Sequence, residues 1–445
     1  MIPEKTLSVT LNLTLKLLAI ILEEEENNFQ YLFHAITLQI YIYYYSEDEM
    51  PNLHSLENAL PVAPLKLVVM DSAQTMGEEI NSYLVEFRKN IKNKFSKDSG
   101  IQGYIEDTYL AKAECPRFGT GEGKGVFKES IRGKDLFILV DVCNHSLTYT
   151  VNGYTNHKSP DDHYQDLKRI IVAATGKAHR INVIMPFLYE GRQHKRSTRE
   201  SLDCAFMLEE LYSMGIDNFI TFDAHDPRVA NAIPLKGFDN YVTPFQFVRA
   251  LLDVEKDLTI DKDHLVVISP DEGALNRTIY FANVLGVNTG MFYKRRDYTT
   301  IVNGKNPIVA HEFLGDSLEG KDVIILDDMI SSGESMIDTA RQLKEMHAKR
   351  VFICCTFGLF TNGLQAFDEA YEKGYFEKVI TTNLNYLPPE IYERPYYVRA
   401  NMSKYIASII DFMNHDVSTE NVQPSAEKIH KVLDCYNKRL PLDVD

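Results

Sequence analysis

The feature that most constrains the fold is a regular alternation of short apolar segments with longer amphipathic ones from residue 64 onward. The apolar segments have the length of strands, and several are apolar on both faces: PLKLVVM, DLFILVDV, RINVIMPF, NFITFDAH, HLVVISP, DVIILDDM, RVFICCTF and KVITTN. Between many of them, apolar residues recur at helical spacing, as in SGESMIDTARQLKEMHA. Strands that are apolar on both faces need helices on both sides of their sheet, so the pattern predicts an α/β protein with mainly parallel sheets.

The segment PLKGFDNYVTPF, residues 234–245, is rich in Pro, Gly and Asn and divides the alternating pattern into two halves. Strands that end in acidic residues occur on both sides of it. We therefore expect two similar α/β domains in tandem, residues 50–240 and 241–392. We expect the tail, residues 393–445, to pack back on the N-terminal domain through helical patterns such as SKYIASIIDFMNHD.

Residues 1–49 differ from the rest, because two apolar runs flank the acidic block EEEE. Each run is shorter than the roughly 20 residues of a membrane-spanning helix, and the acidic block does not fit a signal-peptide cleavage region. Three interpretations remain: a membrane-associated hairpin, an amphipathic extension, or translated sequence ahead of a true start at Met50. We favour the third, because an ordinary domain entry follows Met50, and we expect membrane contact only if residues 1–49 belong to the mature protein.

Composition excludes several classes of function. The 445 residues are 44% hydrophobic and 25% charged, as in a globular protein, and their net charge is -16. A broad nucleic-acid surface is not expected, because binding a phosphate backbone requires a basic face. The six cysteines form no CxxC pair, and no histidines have zinc-finger spacing. Neither a zinc framework nor a disulfide scaffold is indicated, and a cytoplasmic location is the simplest expectation.

Two adjacent carboxylates, Asp327 and Asp328, end the apolar strand in VIILDDMISSGES, residues 323–335. Burying them without a partner would cost several kcal/mol, so the pattern implies vicinal sugar hydroxyls, a divalent cation, or both. The next residues open a helix, where free N–H groups and hydroxyls can bind a phosphate. These residues are Ser331, Ser332, Gly333, Glu334 and Ser335. Sugar-binding acids followed by phosphate-binding donors indicate a pentose phosphate site.

This segment resembles the phosphoribosyl diphosphate loop of type I phosphoribosyltransferases and of ribose-phosphate diphosphokinases, also called phosphoribosyl diphosphate synthetases. Other segments resemble the second family in the same order, over about residues 64–412. The resemblance implies two tandem type I phosphoribosyltransferase-like domains. It also implies transfer of the diphosphoryl group of ATP to C1 of ribose 5-phosphate, which gives 5-phosphoribosyl 1-diphosphate and AMP. A phosphoribosyltransferase and a catalytically silent regulatory relative remain as alternatives.

The resemblance assigns roles to individual residues. In RFGTGEGKGVFKESIRGKD and in the loop of INVIMPFLYEGRQHKRSTRES, the residues implied to bind ATP are Phe118, Thr120, Glu122, Arg192 and Gln193. In FDAHDP and VVISPDEGALNR, the implied Mg²⁺ residues are His225 and Asp271. In MFYKRRDYTT, the implied catalytic residues are Lys294 and Arg296, whose charges would stabilise the transferring group. Each segment also has a purely structural interpretation: a Gly-rich hairpin, a solvated basic loop, a structural histidine or an exposed strand end.

The resemblance further implies that Asp327 and Asp328 bind the ribose and that residues 331–335 bind its 5-phosphate. The family places part of its ATP site at a subunit contact, so a homo-oligomer is expected. The chain departs from the usual pattern in the loop, where Ser331 replaces an Asp, Glu334 replaces a Gly, and Ser332 and Ser335 each replace a Thr. In addition, Phe357 stands where many members have His, and the region from Met76 to Pro116 is longer than usual. A carboxylate at position 334 would repel a bound phosphate unless it points away.

Overall fold

Two sheets organise the residues that the computed structural model describes, which are 56, 59–95, 102–296, 308–422, 426–440 and 442. The strands of the described residues are β1 (Leu65–Val69), β2 (Leu110–Ala111), β3 (Ala113–Glu114), β4 (Val126–Phe127), β5 (Asp135–Leu139), β6 (Thr148–Val151), β7 (Tyr154–His157), β8 (Arg180–Ile184), β9 (Asn218–Phe222), β10 (Gly237–Tyr241), β11 (Leu265–Ser269), β12 (Asn288–Arg296), β13 (Ile308–Leu314), β14 (Asp322–Ile330), β15 (Arg350–Gly358), β16 (Lys378–Thr382) and β17 (Tyr397–Ala400). The first sheet has the strand order β10-β9-β8-β5-β1-β2, and all its pairs are parallel. The second sheet has the order β13-β12-β11-β14-β15-β16-β17. Its pairs are parallel except β12 with β13.

Helices connect the strands and cover the sheets. They are α1 (Gln74–Phe95), α2 (Pro160–Ala174), α3 (Asp203–Ser213), α4 (Pro244–Val254), α5 (Leu275–Leu285), α6 (Glu334–Glu345), α7 (Gln365–Glu372), α8 (Ser403–Asn414) and α9 (Ala426–Asn437). In the part of the chain described, no helix is both long enough and apolar enough to cross a bilayer. Every residue of β5 and β11 is buried, as expected for strands with helices on both sides.

All the apolar segments that the sequence predicts as strands form strands: β1, β5, β8, β9, β11, β14, β15 and β16. The predicted α/β class with mainly parallel sheets is therefore confirmed. The sequence did not reveal β10, which lies within the Pro- and Gly-rich segment 234–245 and pairs in parallel with β9 at the edge of the first sheet. An edge strand is only partly covered by other elements, so its sequence, GFDNY, contains no apolar run that would predict a strand.

Helix α8, near the C-terminal end of the chain, is fixed to α1 by a buried ion pair. Arg88 on α1 donates through Nε to Asp411 Oδ1 at 2.9 Å and through Nη2 to Asn414 Oδ1 at 2.6 Å. The guanidinium also lies over the rings of Tyr104 and Tyr109, 4.8 and 4.9 Å from their centres. The side chains of Arg88 and Asp411 are each only 1% exposed. Each charge is thus compensated inside the protein rather than by water.

We predict that Asp411→Ala lowers the free energy of unfolding by about 3–5 kcal/mol, because it leaves Arg88 buried without a counter-charge. Urea unfolding measures the loss. The matched control is Lys89→Ala on the same helix, because Lys89 is exposed and its partner Asp107 is fully exposed; its effect should stay below about 0.5 kcal/mol. Equal losses in the two variants would contradict this account of the α1–α8 contact.

Candidate functional site

The predicted acid pair lies near the carboxyl end of β14, between β11 and β15 in the second sheet. The backbone N–H of Asp328 donates to Asp327 Oδ1 at 2.8 Å, and Asp328 is only 3% exposed. Burial, together with the charge of Asp328, raises the pKa of Asp327 well above its ordinary value. Burial also opposes ionisation of Asp328, but a hydrogen bond from His225 and the charge of Arg277 hold its pKa below the ordinary value. The two neighbouring carboxyl groups therefore differ in acidity, and Asp328 is the more acidic of the pair.

Arg277, on α5, faces the acid pair. Its Nη1 lies 3.5 Å from Asp328 Oδ1, 3.9 Å from Asp327 Oδ1 and 3.6 Å from Asp223 Oδ2. The side chain is only 17% exposed, and Nη1 has no hydrogen-bond partner among the described residues. A single guanidinium thus offsets three carboxylates and keeps a donor for a further acceptor. Arg277 was not predicted from the sequence, because its only signal there is its position six residues after the strand-end Asp271, which is not distinctive.

The first sheet contributes to the same place through the residues that follow β9. His225 Nδ1 lies 2.6 Å from Asp328 Oδ2, and Thr356 of β15 donates to Asp223 Oδ2 at 2.6 Å. The hydrogen bond to Asp328 raises the pKa of His225, although burial opposes it. Burial raises the pKa of Asp223, whose backbone has a φ of 42°. The carboxyl ends of both sheets therefore meet in one charged cluster.

The loop after β8 reaches the same cluster. Arg192 lines a cleft together with Asp223 and His225, and the remaining lining is mainly apolar: Phe187, Leu188, Gly191, Phe222, Ala224, Met329 and Phe357. The rings of Phe187 and Phe357 pack edge to face, with centres 5.0 Å apart. Gln193 donates through Nε2 to the carbonyl oxygen of Ser201 at 2.7 Å, so its amide is engaged within the loop. The structure brings the predicted Arg192, His225 and Asp328 together.

Phe118, Thr120 and Glu122 lie elsewhere, in the turn between β3 and β4. The turn is closed by a hydrogen bond from Phe118 N to Glu122 O at 2.7 Å and by one from Thr120 Oγ1 to Glu122 Oε2 at 2.9 Å. Phe118 is 53% exposed, and none of the three lines the cleft that contains Arg192. Within one chain, the structure does not bring these three residues to that cleft.

The predicted phosphate-binding residues form the turn after β14, residues 331–333, and the first two positions of α6, Glu334 and Ser335. Gly333 has a φ of 88°, and a side chain there would collide with the ring of Phe367, so glycine is required on two counts. Ser331 and Ser332 are partly exposed, and Glu334 and Ser335 are exposed. The carbonyl oxygen of Ser331 accepts from Thr361 N at 3.0 Å. The hydrogen bond from Thr361 thus fixes the turn, while the N-terminus of α6 is accessible to an anion.

The remaining predicted site residues lie at the ends of β11 and β12. Asp271 follows β11, and its Oδ1 accepts from Gly273 N at 2.9 Å. The backbone of Lys294 and Arg296 lies in β12, but their side chains fall outside the described residues. Among the described residues, no group of three or more His, Cys, Asp and Glu side chains is arranged to hold a metal.

We predict that Arg277→Met makes the protein progressively less stable than the wild type as pH rises. Removing the cation raises the folded-state pKa of Asp327 further above its unfolded value. Such a group stabilises the fold below its unfolded pKa, and that contribution is lost as pH rises through the folded pKa. Melting temperatures across pH 5 to 8 measure the effect. The control is Arg341→Met, at a partly exposed arginine on α6, whose melting temperature should change with pH in parallel with that of the wild type. An equally parallel curve for Arg277→Met would refute the neutralising role.

Two family models match this chain. Residues 65–215 match the N-terminal domain of ribose phosphate pyrophosphokinase, and residues 248–394 match the phosphoribosyl transferase domain. The ribose-phosphate pyrophosphokinase of Corynebacterium efficiens is 31% identical over 267 residues, which cover 60% of this chain and 74% of that protein. The ribose-phosphate pyrophosphokinase of Clostridium perfringens is 29% identical over 284 residues, 63% of this chain and 79% of that protein.

A solved structure shares the fold. The phosphoribosylpyrophosphate synthetase from Mycobacterium smegmatis superposes with a TM-score of 0.61 at 19% sequence identity. The match covers 79% of this chain and 99% of the other. At this identity the likeness shows a shared arrangement of strands and helices.

Proposed function

This chain belongs to the ribose-phosphate pyrophosphokinase family, and on that premise we propose that it transfers the diphosphoryl group of ATP to C1 of ribose 5-phosphate. The products are 5-phosphoribosyl 1-diphosphate and AMP. The observation that carries the proposal is the contact of His225 with Asp328 beside Arg192. It supports a single cleft with a nucleotide side from the first sheet and a sugar side from the second. A phosphoribosyltransferase would need only the sugar side.

On the sugar side, Asp327 and Asp328 accept hydrogen bonds from the ribose hydroxyls. The residues that bind the 5-phosphate are Ser331, Ser332, Gly333, Glu334 and Ser335, which act through the donors at the start of α6. Glu334 contributes its backbone N–H rather than its carboxylate, since its side chain is exposed. This reconciles an acid at position 334 with a bound anion.

On the nucleotide side, Arg192 and Gln193 bind ATP, while His225 and Asp271 place Mg²⁺. These residues fit the ion, because Asp271 offers a carboxylate and the hydrogen bond at His225 Nδ1 leaves Nε2 available. Mg²⁺ supplies positive charge that neutralises the phosphate oxygens. The described residues include all six cysteines and contain no disulfide, and we expect a location in the reducing cytoplasm.

The catalytic residues are Lys294 and Arg296, whose positive charge stabilises the negative charge that develops on the transferring diphosphoryl group. No general base is assigned, because phosphoryl chemistry depends chiefly on positioning and charge neutralisation. The cluster around Arg277 contributes by holding the acids of both sheets at fixed distances. Phe357, packed on Phe187, gives the cleft an apolar wall that limits water.

We predict that the purified protein releases AMP from ATP only when ribose 5-phosphate is present. Lys294→Ala should lower turnover by about 10²-fold or more, because a fixed charge is lost in the transition state, while the affinity for ribose 5-phosphate changes little. Arg295→Ala, which removes the neighbouring cation of the same strand, is the matched control and should keep near wild-type turnover. Chromatography of AMP and calorimetry of sugar binding measure the two quantities.

The same assay separates the alternatives. A phosphoribosyltransferase would release diphosphate from 5-phosphoribosyl 1-diphosphate and a base and would leave ATP intact. A silent relative would bind ligands without turnover. Unchanged turnover in Lys294→Ala would remove that residue from the mechanism.

The exposed turn with Phe118, Thr120 and Glu122 serves the cleft of a neighbouring copy in a homo-oligomer. Its exposure and its absence from the cleft of its own chain support this arrangement. The aromatic ring would stack on adenine, and the carboxylate would accept from its amino group.

We predict subunit complementation between two inactive variants. Phe118→Ala lacks the turn's aromatic ring, and Lys294→Ala lacks the catalytic cation, but a mixed oligomer contains some clefts with both groups intact. Co-expressed differently tagged chains, purified through both tags, should recover a measurable fraction of wild-type AMP release. Mixed oligomers that are no more active than either parent variant would contradict a shared site. The control is co-expression of Lys294→Ala with Lys294→Gln, because two variants of the same residue cannot complement each other.

A further inference from the structure

The exposed turn of residues 118–122 is fixed by the residue that precedes it, Arg117. Its Nη1 donates to the carbonyl oxygen of Gly121 at 3.2 Å. Its Nη2 donates to Asp162 Oδ1 at 3.3 Å and to Asp166 Oδ2 at 3.2 Å. The side chain of Arg117 is only 12% exposed, and that of Asp166 only 2%. One guanidinium therefore ties the backbone of the turn to two carboxylates of α2.

The hairpin β6–β7 packs on the same arginine and on the far end of the turn. The two strands form a sheet of their own, and such a hairpin is marginally stable unless it packs on another surface. Along β6, Tyr149 and Val151 are half-buried and alternate with exposed residues, so one face of the strand points inward. The ring centre of Tyr149 lies 4.8 Å from the guanidinium carbon of Arg117. Val151 packs so closely on Gly121 that a Cβ added there would lie 2.9 Å from Val151 Cγ2.

We propose that Arg117 and Tyr149 are positioning residues, which together with the hairpin β6–β7 hold the turn in one shape before ATP binds. A loop that is ordered before binding loses less conformational entropy when it meets its ligand. Arg117 acts through the backbone of the turn rather than on the reacting groups, so its loss weakens ATP binding without slowing the chemical step. The effect on ATP rests on the proposed function, but the ordering of the turn does not.

Steady-state kinetics of AMP release from the full-length protein test the effect on ATP. Tyr149→Ala and Arg117→Met should each raise the KM for ATP by about tenfold, while kcat and the KM for ribose 5-phosphate stay within about twofold of the wild type. Tyr149→Phe keeps a ring against the guanidinium and should restore the wild-type KM for ATP. The matched control is Tyr154→Ala at the tip of the same hairpin, because Tyr154 is 75% exposed; its KM for ATP should equal that of the wild type.

Hydrogen exchange of the peptide that spans residues 117–124 provides a second readout, which needs no activity. Two backbone hydrogen bonds close the turn, from Phe118 N to Glu122 O at 2.7 Å and from Gly121 N to Phe118 O at 2.8 Å. Their amide protons should exchange faster in Tyr149→Ala than in the wild type, because the turn opens more often when the hairpin no longer holds it. Tyr154→Ala should exchange at the wild-type rate.

Circular dichroism establishes that each variant is folded, and the half-buried Tyr149 provides the test if Arg117→Met does not fold. A wild-type KM for ATP in folded Tyr149→Ala would overturn the proposal, as would a lower kcat with an unchanged KM. If the wild type releases no AMP from ATP and ribose 5-phosphate, the proposed function fails and hydrogen exchange decides alone. Faster exchange in Tyr149→Ala would then support the ordering of the turn, and unchanged exchange would overturn it.

Discussion

Three buried or half-buried carboxylates from two sheets converge on one arginine, and the rest of the site depends on that balance of charge. Asp223 belongs to the first sheet, Asp327 and Asp328 belong to the second, and Arg277 lies within 3.9 Å of each. Two unit charges 4 Å apart interact by about 4 kcal/mol at the effective dielectric of a protein surface. Without the guanidinium the acids would repel one another, take up protons or separate. With it, they form a fixed anionic surface for hydroxyl groups and a cation.

The same cluster explains how a tandem fold produces a single cleft. In parallel sheets the loops after the strands gather at the carboxyl edge, and here the edges of both sheets face each other. The His225–Asp328 and Asp223–Thr356 hydrogen bonds cross from one sheet to the other. Under the proposed function, these contacts place Arg192 on the nucleotide side and the turn before α6 on the phosphate side. Transfer between two anionic substrates requires this proximity, because the reacting groups must be held next to each other.

Local patterns predicted the strands of the core, since buried parallel strands need nearly continuous apolar sequence. They also predicted the turn at Gly333, where backbone conformation and the ring of Phe367 both demand glycine. Arg277 and the contact of His225 with Asp328 were not predictable in this way. His225 and Asp328 are separated by 103 positions in the chain, and each looks ordinary in its own segment. Their significance arises only when the two sheets bring them together, and the polar edge strand β10 was missed because exposure leaves no apolar signature.

The central claim is that one cleft joins a nucleotide to a pentose phosphate and breaks the bond between the α- and β-phosphoryl groups. Phosphorus NMR of the protein with ATP, ribose 5-phosphate and Mg²⁺ tests it most directly. The account predicts that AMP and a sugar carrying a diphosphoryl group at C1 appear in equal amounts. Formation of ADP with a sugar bearing a single new phosphoryl group, or release of inorganic phosphate without a sugar product, would contradict it.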